Sequence, residues 1–394
     1  MNQWVTSRGD QELGRAAAEL FSSEYGYDCA GVYAAPGRVN LIGEHVDYAA
    51  GASIPFALPH STAVAAAPRD DGRVRAVSAA GMVRGEVALA DVRPGHPADW
   101  LGYIAGTVWA LFPESTGTGF DFAIVSDVPL GSGLSSSAAL ECSVGLAAFD
   151  LVEGREPCDA DRERIVAAAI RAENEVVVGA ATGGLDQNAS IFCRAGEALF
   201  LDFATGDKHR VPFDLEEVGM ALVIADTNAP HTLSDGQYAS RRGLIDRVMG
   251  DLGARGIRSQ EEVRRWAESA GEDPELVARR VRHVARETDR TFAAKKALRA
   301  GDIDTFRSLM RDSHVSLRDD YEVTTPELDC AFSAAGELGA RMTGGGFGGA
   351  VIALVEAEKV DRVAADIAAA AARRGFPEPT FYLGLPGPGA RKLH

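Results

Sequence analysis

A two-domain fold of strands and helices is predicted, and three observations carry the prediction. The chain has 394 residues, 46% hydrophobic and 25% charged, an ordinary globular composition with more chain than one core needs. Between about residues 32 and 92 it breaks into short β-like pieces, SIPFAL, STAVAAAP, RVRAVSA and RGEVALADV, punctuated by Gly, Pro and Asp and followed by Ala-rich helical patterns. A second strand-like run, MALVIAD, then opens a half with its own helices and closing strands.

Ser7 or Asp10 is placed to cap a first helix running to about Glu24, with Leu13, Ala17, Leu20 and Phe21 at helical spacing and Gly26 just beyond its end. The β-like pieces after it are expected to form a mostly antiparallel sheet. Residues 100–112 read as a helix through Ile104, Val108 and Leu111, and FDFAIVSDV alternates as a strand that runs into the loop PLGSGLSSS. SSSAALECSVGLAAFDLV and RERIVAAAIRAENEV are two helices expected to pack beside the sheet. After MALVIAD the chain is helix-rich between about Leu233 and Leu317, then closes with strands near GAVIALV and TFYLGL around the helix VDRVAADIAAAAARR. The polar, turn-like GDKHR sets the boundary near residue 208, giving domains 1–208 and 209–394.

Forty basic against 57 acidic residues give a net charge of −17, which argues against general affinity for nucleic acid or an anionic membrane. No apolar run approaches the roughly 18 residues of a membrane span, and the start, MNQWVTSRGDQELGR, has no signal-peptide stretch. A soluble, cytoplasmic chain is expected. Cys29, Cys142, Cys158, Cys193 and Cys330 lack CxxC spacing, so they read as ordinary thiols, not a zinc site or disulfide framework. The Arg-rich stretch ARRVRHVARETDR has one apolar face, Val277, Val281 and Val284, and reads as a solvated helix face.

Three segments carry chemistry. In PLGSGLSSSAAL, Gly131 and Gly133 let the backbone bend around an anion, and the following helix begins with exposed amides, as a phosphate cradle requires. It lacks the GK[ST] ending of a Walker loop, so the hydroxyls of Ser135, Ser136 and Ser137 would serve phosphate oxygens or magnesium; a turn with a Ser N-cap is the plain alternative. In MTGGGFGGAVIALV, glycine at every position from 344 to 349 except Phe347 suits close backbone approach to a ligand or another strand, or a tight hairpin. APGRVNLIGEHVDYAAG gathers Arg38, Asn40, Glu44, His45 and Asp47, whose carboxylates and imidazole accept the hydrogens of a hydroxyl-rich ligand, with a capped turn and local salt bridge as the structural alternative.

The order GRVNLIGEHVDY, PLGSGLSSSAAL, GGLDQ, MTGGGFGG resembles the galactokinases, within the kinases of the galactose, homoserine, mevalonate and phosphomevalonate (GHMP) group; TNAPHTLSDGQYASRR and SLRDDYEVTTPELD extend the resemblance over nearly the whole chain. It implies a two-domain α+β fold of the GHMP-kinase type, an N-terminal mixed sheet with helices and C-terminal ferredoxin-like layers, with the active site in the interdomain cleft. It also implies transfer of the γ-phosphoryl group of ATP to the anomeric O1 of α-D-galactose, giving galactose 1-phosphate and ADP. No protein partner is implied.

By the same resemblance Asp186 matches the catalytic aspartate that takes the O1 proton, and Arg38 the arginine beside it. An adjacent guanidinium makes a carboxylate a poorer base, so Asp186 could instead orient the hydroxyl. Glu44, His45, Val46, Asp47, Gly183 and Tyr238 match positions around galactose; Ser78 and the loop residues Gly131, Ser132, Gly133, Leu134, Ser135, Ser136 and Ser137 match the nucleotide site; Ser137 and Glu173 match the Mg2+ ligands. This chain departs from the pattern in three places: one extra residue between Glu173 and Asp186, which leaves Glu173 or Glu175 as the metal ligand; GGLDQ for the commoner GIMDQ; and Val46 for Thr. His231 reads as a structural loop residue. A sister kinase for N-acetylgalactosamine or arabinose, and a non-catalytic galactose and ATP sensor, stay as alternatives; the intact SSSAA, Arg38 and Asp186 favour an enzyme.

Overall fold

The computed structural model describes residues 3–114, 117–177, 182–229 and 234–394. A six-stranded mixed sheet organises the first half, in the order Arg391–Lys392, Gly31–Asn40, Pro55–Arg69, Gly119–Ser126, Arg73–Ser78, Val83–Ala88. Its neighbours are antiparallel except Arg73–Ser78 and Gly119–Ser126, which run parallel. Side chains alternate across a strand, so both faces must be covered when both are apolar. Val32, Ala63, Ala65, Val77 and Ala123 pack under the helix Asp10–Tyr25. Tyr33, Val64, Ala66, Ala76, Phe120 and Phe122 face the helices Trp100–Leu111, Ser136–Glu153 and Asp159–Arg171. That two-sided burial is why these strands read as near-continuous apolar runs.

In the second half, Thr380–Leu383, Met220–Asp226, Ala350–Glu356 and Ala340–Thr343 lie side by side in that order, all antiparallel. With helices in the first and last connections, this is the ferredoxin-like arrangement. Its faces divide in the same way: Val223, Ala225, Val351 and Ala353 face one apolar cluster, Leu222, Ile224, Ile352 and Leu354 another. The second cluster also contains Val39, Leu41, Ile42 and Phe56 from the first half. The halves therefore share a core.

Several sequence expectations change. The first helix is preceded by Gly9, not capped by Ser7 or Asp10, although Gly26 closes it as expected at φ 78°, its N–H bonded to Ser22 O. GDKHR is a turn only over Gly206 and Asp207, which close a hairpin: Lys208–Pro212 is a strand paired with Glu197–Asp202, which in turn pairs with Ala52–Ser53. The Arg-rich helix, Pro274–Arg299, is not a solvated face. Val277, Val281 and Val284 are buried, and so are Arg280, His283 and Glu287. Arg279 and Arg280 pair with Glu322, and Arg282 with Asp320, partners about forty residues away that local charge counting could not supply. Among the described residues no helix is long and apolar enough to cross a membrane.

Candidate active site

Two glycine loops meet backbone to backbone. A Cβ on Gly344, at φ 87°, would lie 2.9 Å from Gly133 O, and one on Gly349 would lie 3.1 Å from Ser132 O. The density of glycine in the second loop thus serves contact with the first, as close backbone approach demands. The first loop ends at Ser135, which takes the left-handed conformation (φ 63°, ψ 51°) rarely adopted by a non-glycine residue and begins the helix Ser136–Glu153. Ser135 does not cap that helix with its hydroxyl. Its hydroxyl donates to Asp186 Oδ2 at 2.5 Å, which leaves the first helical amides and their dipole for an anion. The simple Ser N-cap alternative is therefore excluded. Ser132 is buried, its hydroxyl donating to Pro129 O, and Leu134 is buried with its carbonyl accepting Arg38 N–H.

Arg38 reaches the loop because its strand is irregular. Pairing slips between Pro36 and Arg38, and a Cβ on Gly37 would stand 2.6 Å from Leu134 O, so the strand presses on the loop and redirects the next side chain. Arg38 Nε and Nη2 donate to Asp186 Oδ1 at 2.7 and 2.6 Å, and Nη1 to Gly133 O at 2.6 Å. Asp186 sits in the first turn of the helix Leu185–Phe192 after Gly184 at φ 98°. Both its oxygens have donors.

Beside this pair, Ser137 donates to Glu173 Oε1 at 3.2 Å. Glu173 lies in a π-helical turn, Ala172–Val176, and Glu175 points away to pair with Arg171. Two residues apart on a helical turn, the two carboxylates point to opposite sides. Burial and the Asp186 charge push Glu173 up to about 7, against its hydrogen bonds from Ser137 and Gln187. Such a carboxylate is short of positive charge. With a hydroxyl alongside it forms a hard-oxygen donor pair that fits magnesium bound mainly by phosphate and water oxygens.

The GEHVDY segment closes the other side. Asp47 Oδ2 accepts Gly183 N–H at 3.1 Å, and a Cβ on Gly183 would stand 2.4 Å from that oxygen, so glycine is required there. Burial and the charges of Asp186 and Glu44 push Asp47 up to about 6. Glu44 Oε1 accepts from Gly344 N–H at 2.7 Å, with Arg341 Nη2 at 3.6 Å. His45 Nε2 faces Gly345 O at 3.0 Å and so donates; Nδ1 accepts from Tyr48 OH, whose oxygen lies 2.8 Å from Tyr321 OH. Both ring nitrogens are committed, and burial pushes the imidazole down to about 3, keeping it neutral. Tyr238, from the helix Ser234–Gly256, covers His45 at 5.4 Å between ring centroids.

Two expected residues fall outside the group. Val46 is wholly buried in the C-terminal apolar cluster and offers no surface to a ligand; it holds His45 and Asp47 in place. Ser78 ends the strand Arg73–Ser78 and its hydroxyl accepts Ala80 N–H, with no described contact to the glycine loop. Ser136 opens its helix, and Gly131 takes φ 74° in the loop. His231 lies outside the described residues. Sequence reasoning missed Glu141, Gln187, His283, Glu287 and Arg341. Gln187 stood within GGLDQ, but the others had no local signal because their partners are distant in sequence.

A phosphate-type loop whose Ser135 meets Arg38 on one aspartate, beside a ferredoxin-like second half, is the construction of a GHMP kinase, and the chain matches the family models GHMP kinases N terminal domain at residues 102–194 and GHMP kinases C terminal at residues 294–373. Mevalonate kinase shares this fold at a TM-score of 0.60 and 17% identity, covering 92% of this chain and 98% of that one. The galactokinase galactose-binding signature matches residues 19–68. The galactokinase of Streptomyces coelicolor is 42% identical over 97% of this chain and 100% of its own length, and that of Bos taurus 36% identical over 97% of each. The structure of Lactococcus lactis galactokinase complexed with galactose superposes at a TM-score of 0.84, with 33% identity over 95% of this chain and 98% of that one. The chain belongs to the galactokinase family. It is a kinase and uses ATP.

Proposed function

We propose that the chain transfers the γ-phosphoryl group of ATP to the anomeric O1 of α-D-galactose, in a cleft between units 1–208 and 209–394. The observation that carries this reading is the Arg38, Asp186 and Ser135 cluster, set where the phosphate loop meets the galactose-signature segment. O1 forms a bond to Pγ, the bond from Pγ to the β,γ-bridging oxygen breaks, ADP leaves, and the O1 proton passes to the Asp186 carboxylate or, through it, to solvent. The donors from Arg38 and Ser135 fix the Asp186 carboxylate in position, which supports alignment of the hydroxyl as its main contribution. Arg38 also offers its charge to the transferring phosphoryl oxygens. Ser137 and Glu173 would hold Mg2+, which supplies charge neutralisation on the phosphates when bound.

Glu44, Asp47 and Gly183 would accept or donate to the sugar hydroxyls, while His45, its nitrogens occupied, shapes the wall with Tyr238. A buried carboxylate that loses its hydroxyl partner when the epimer is wrong costs more than the lost bond, which supports discrimination at the axial O4. ATP as donor suits a cytoplasmic enzyme. ADP release with MgATP across galactose, glucose, N-acetylgalactosamine, arabinose, mevalonate and homoserine, with metal-free controls, tests the proposal. Magnesium-dependent release with galactose and its deoxy analogues is expected. Preference for N-acetylgalactosamine or arabinose would move the assignment to a sister kinase, and galactose binding without release would make the chain a sensor.

A further inference from the structure

Glu141 is the least explained group near the site. It lies on the helix Ser136–Glu153, is fully buried, and one carboxyl oxygen, Oε1, has no hydrogen-bond partner among the described residues. A buried, half-satisfied carboxyl is costly to a fold, so an apolar residue would serve packing better. Its other oxygen, Oε2, accepts from Gln187 Nε2 at 3.1 Å. The same nitrogen donates to Glu173 Oε2 at 2.6 Å, and Thr182 Oγ1 donates to Gln187 Oε1 at 3.3 Å. Gln187 is thus fixed at both ends of its amide, and the nitrogen it presents to Glu173 leaves Glu173 Oε1 turned to Ser137.

We propose that Glu141 and Gln187 are positioning residues for the divalent cation: Glu141 fixes the Gln187 amide, and that amide aims the Glu173 carboxylate. The proposal rests on the reading of Glu173 as a metal ligand. Groups that orient a metal ligand typically change affinity by about 10-fold or more when removed. The chain keeps an expensive buried carboxyl because an acceptor is needed there, and neither residue touches the sugar segment in the described contacts.

The test is Mn2+ titration with saturating ADP, followed by electron paramagnetic resonance, beside galactose affinity and metal-free thermal unfolding. Glu141→Leu is expected to weaken Mn2+ binding about 10-fold, leave galactose affinity unchanged, and keep or raise the unfolding temperature. Glu141→Gln, which restores an acceptor, is expected to recover Mn2+ affinity to within about 2-fold. Glu141→Leu combined with Gln187→Leu is expected to bind Mn2+ no worse than Gln187→Leu alone. Wild-type Mn2+ affinity in a folded Glu141→Leu protein, or equal loss of Mn2+ and galactose affinity, overturns the proposal. If that variant does not fold, Gln187→Leu decides: unchanged Mn2+ affinity overturns the proposal, and selective loss supports it. Glu173→Gln separates the two levels. Loss of Mn2+ affinity there without loss in Glu141→Leu removes only the positioning role, whereas no loss in Glu173→Gln removes the ligand assignment and the proposal with it.

Discussion

The carboxylates of the site are tuned by their neighbours, and each makes a different prediction. Asp186, held by Arg38 and Ser135, is expected on substitution to Asn to lose turnover by about 100-fold or more while galactose affinity changes little; parallel steady-state kinetics and equilibrium galactose binding check this, and near-normal turnover would remove it from the reaction. Asp47 is raised to about 6, mainly by burial and then by Asp186 and Glu44. Because its folded pKa lies above the unfolded value near 3.8, the fold favours the protonated form. The ionised group therefore destabilises the protein fully above about pH 6, and the penalty is relieved as pH falls from about 6 to about 4. Asp47→Asn is expected to stabilise the protein by about 1 to 3 kcal/mol at pH 7.5, a gain that disappears by pH 4, and to weaken galactose about 10-fold or more while ATP binding holds. Thermal melts across pH, with ligand titrations, read both effects; weakening of both ligands alike would sink the sugar-site assignment.

At the scale of elements, the site depends on irregularities: the slip at Gly37, the left-handed Ser135, the π turn at Ala172–Val176 and the glycines that let loops touch. Gly183→Ala places a methyl against Asp47 and Tyr48 N. It is expected to raise the galactose KM by about 10-fold or more with a smaller change in the KM for MgATP, and an unchanged galactose KM would show that the Gly183 turn has no part in sugar binding. The motifs around these irregularities were legible because glycine and serine clusters are local signals with a physical meaning. The irregularities themselves were not, since a bulge or π turn is selected by the loop and carboxylate packed against it. The same limit hid the strand Lys208–Pro212: its polar residues looked like a turn until Glu197–Asp202 paired with it.

The whole molecule is tied together by its ends. Gln3–Trp4 adds to the second-half sheet beside Thr380 and Phe381, Arg391–Lys392 adds to the first-half sheet beside Tyr33 and Ala34, and Arg8 grips Asp127 through two hydrogen bonds of 2.8 Å and a third of 2.6 Å. With two apolar clusters spanning both halves, removal of residues 389–394 is expected to lower the unfolding temperature by several degrees in a single transition. Two separated calorimetric transitions would show that the halves unfold independently. The sequence by itself determined the class of layers, the two glycine loops and the acidic sugar segment, because periodicity and motif chemistry act over a few residues. Only the tertiary structure decided that Glu173 and not Glu175 faces Ser137, that Val46 is core, that His45 has no free nitrogen, and that Arg280, His283 and Glu287 lie inside. Those outcomes depend on which distant groups share a buried space, where desolvation makes every polar atom find a partner or carry a cost.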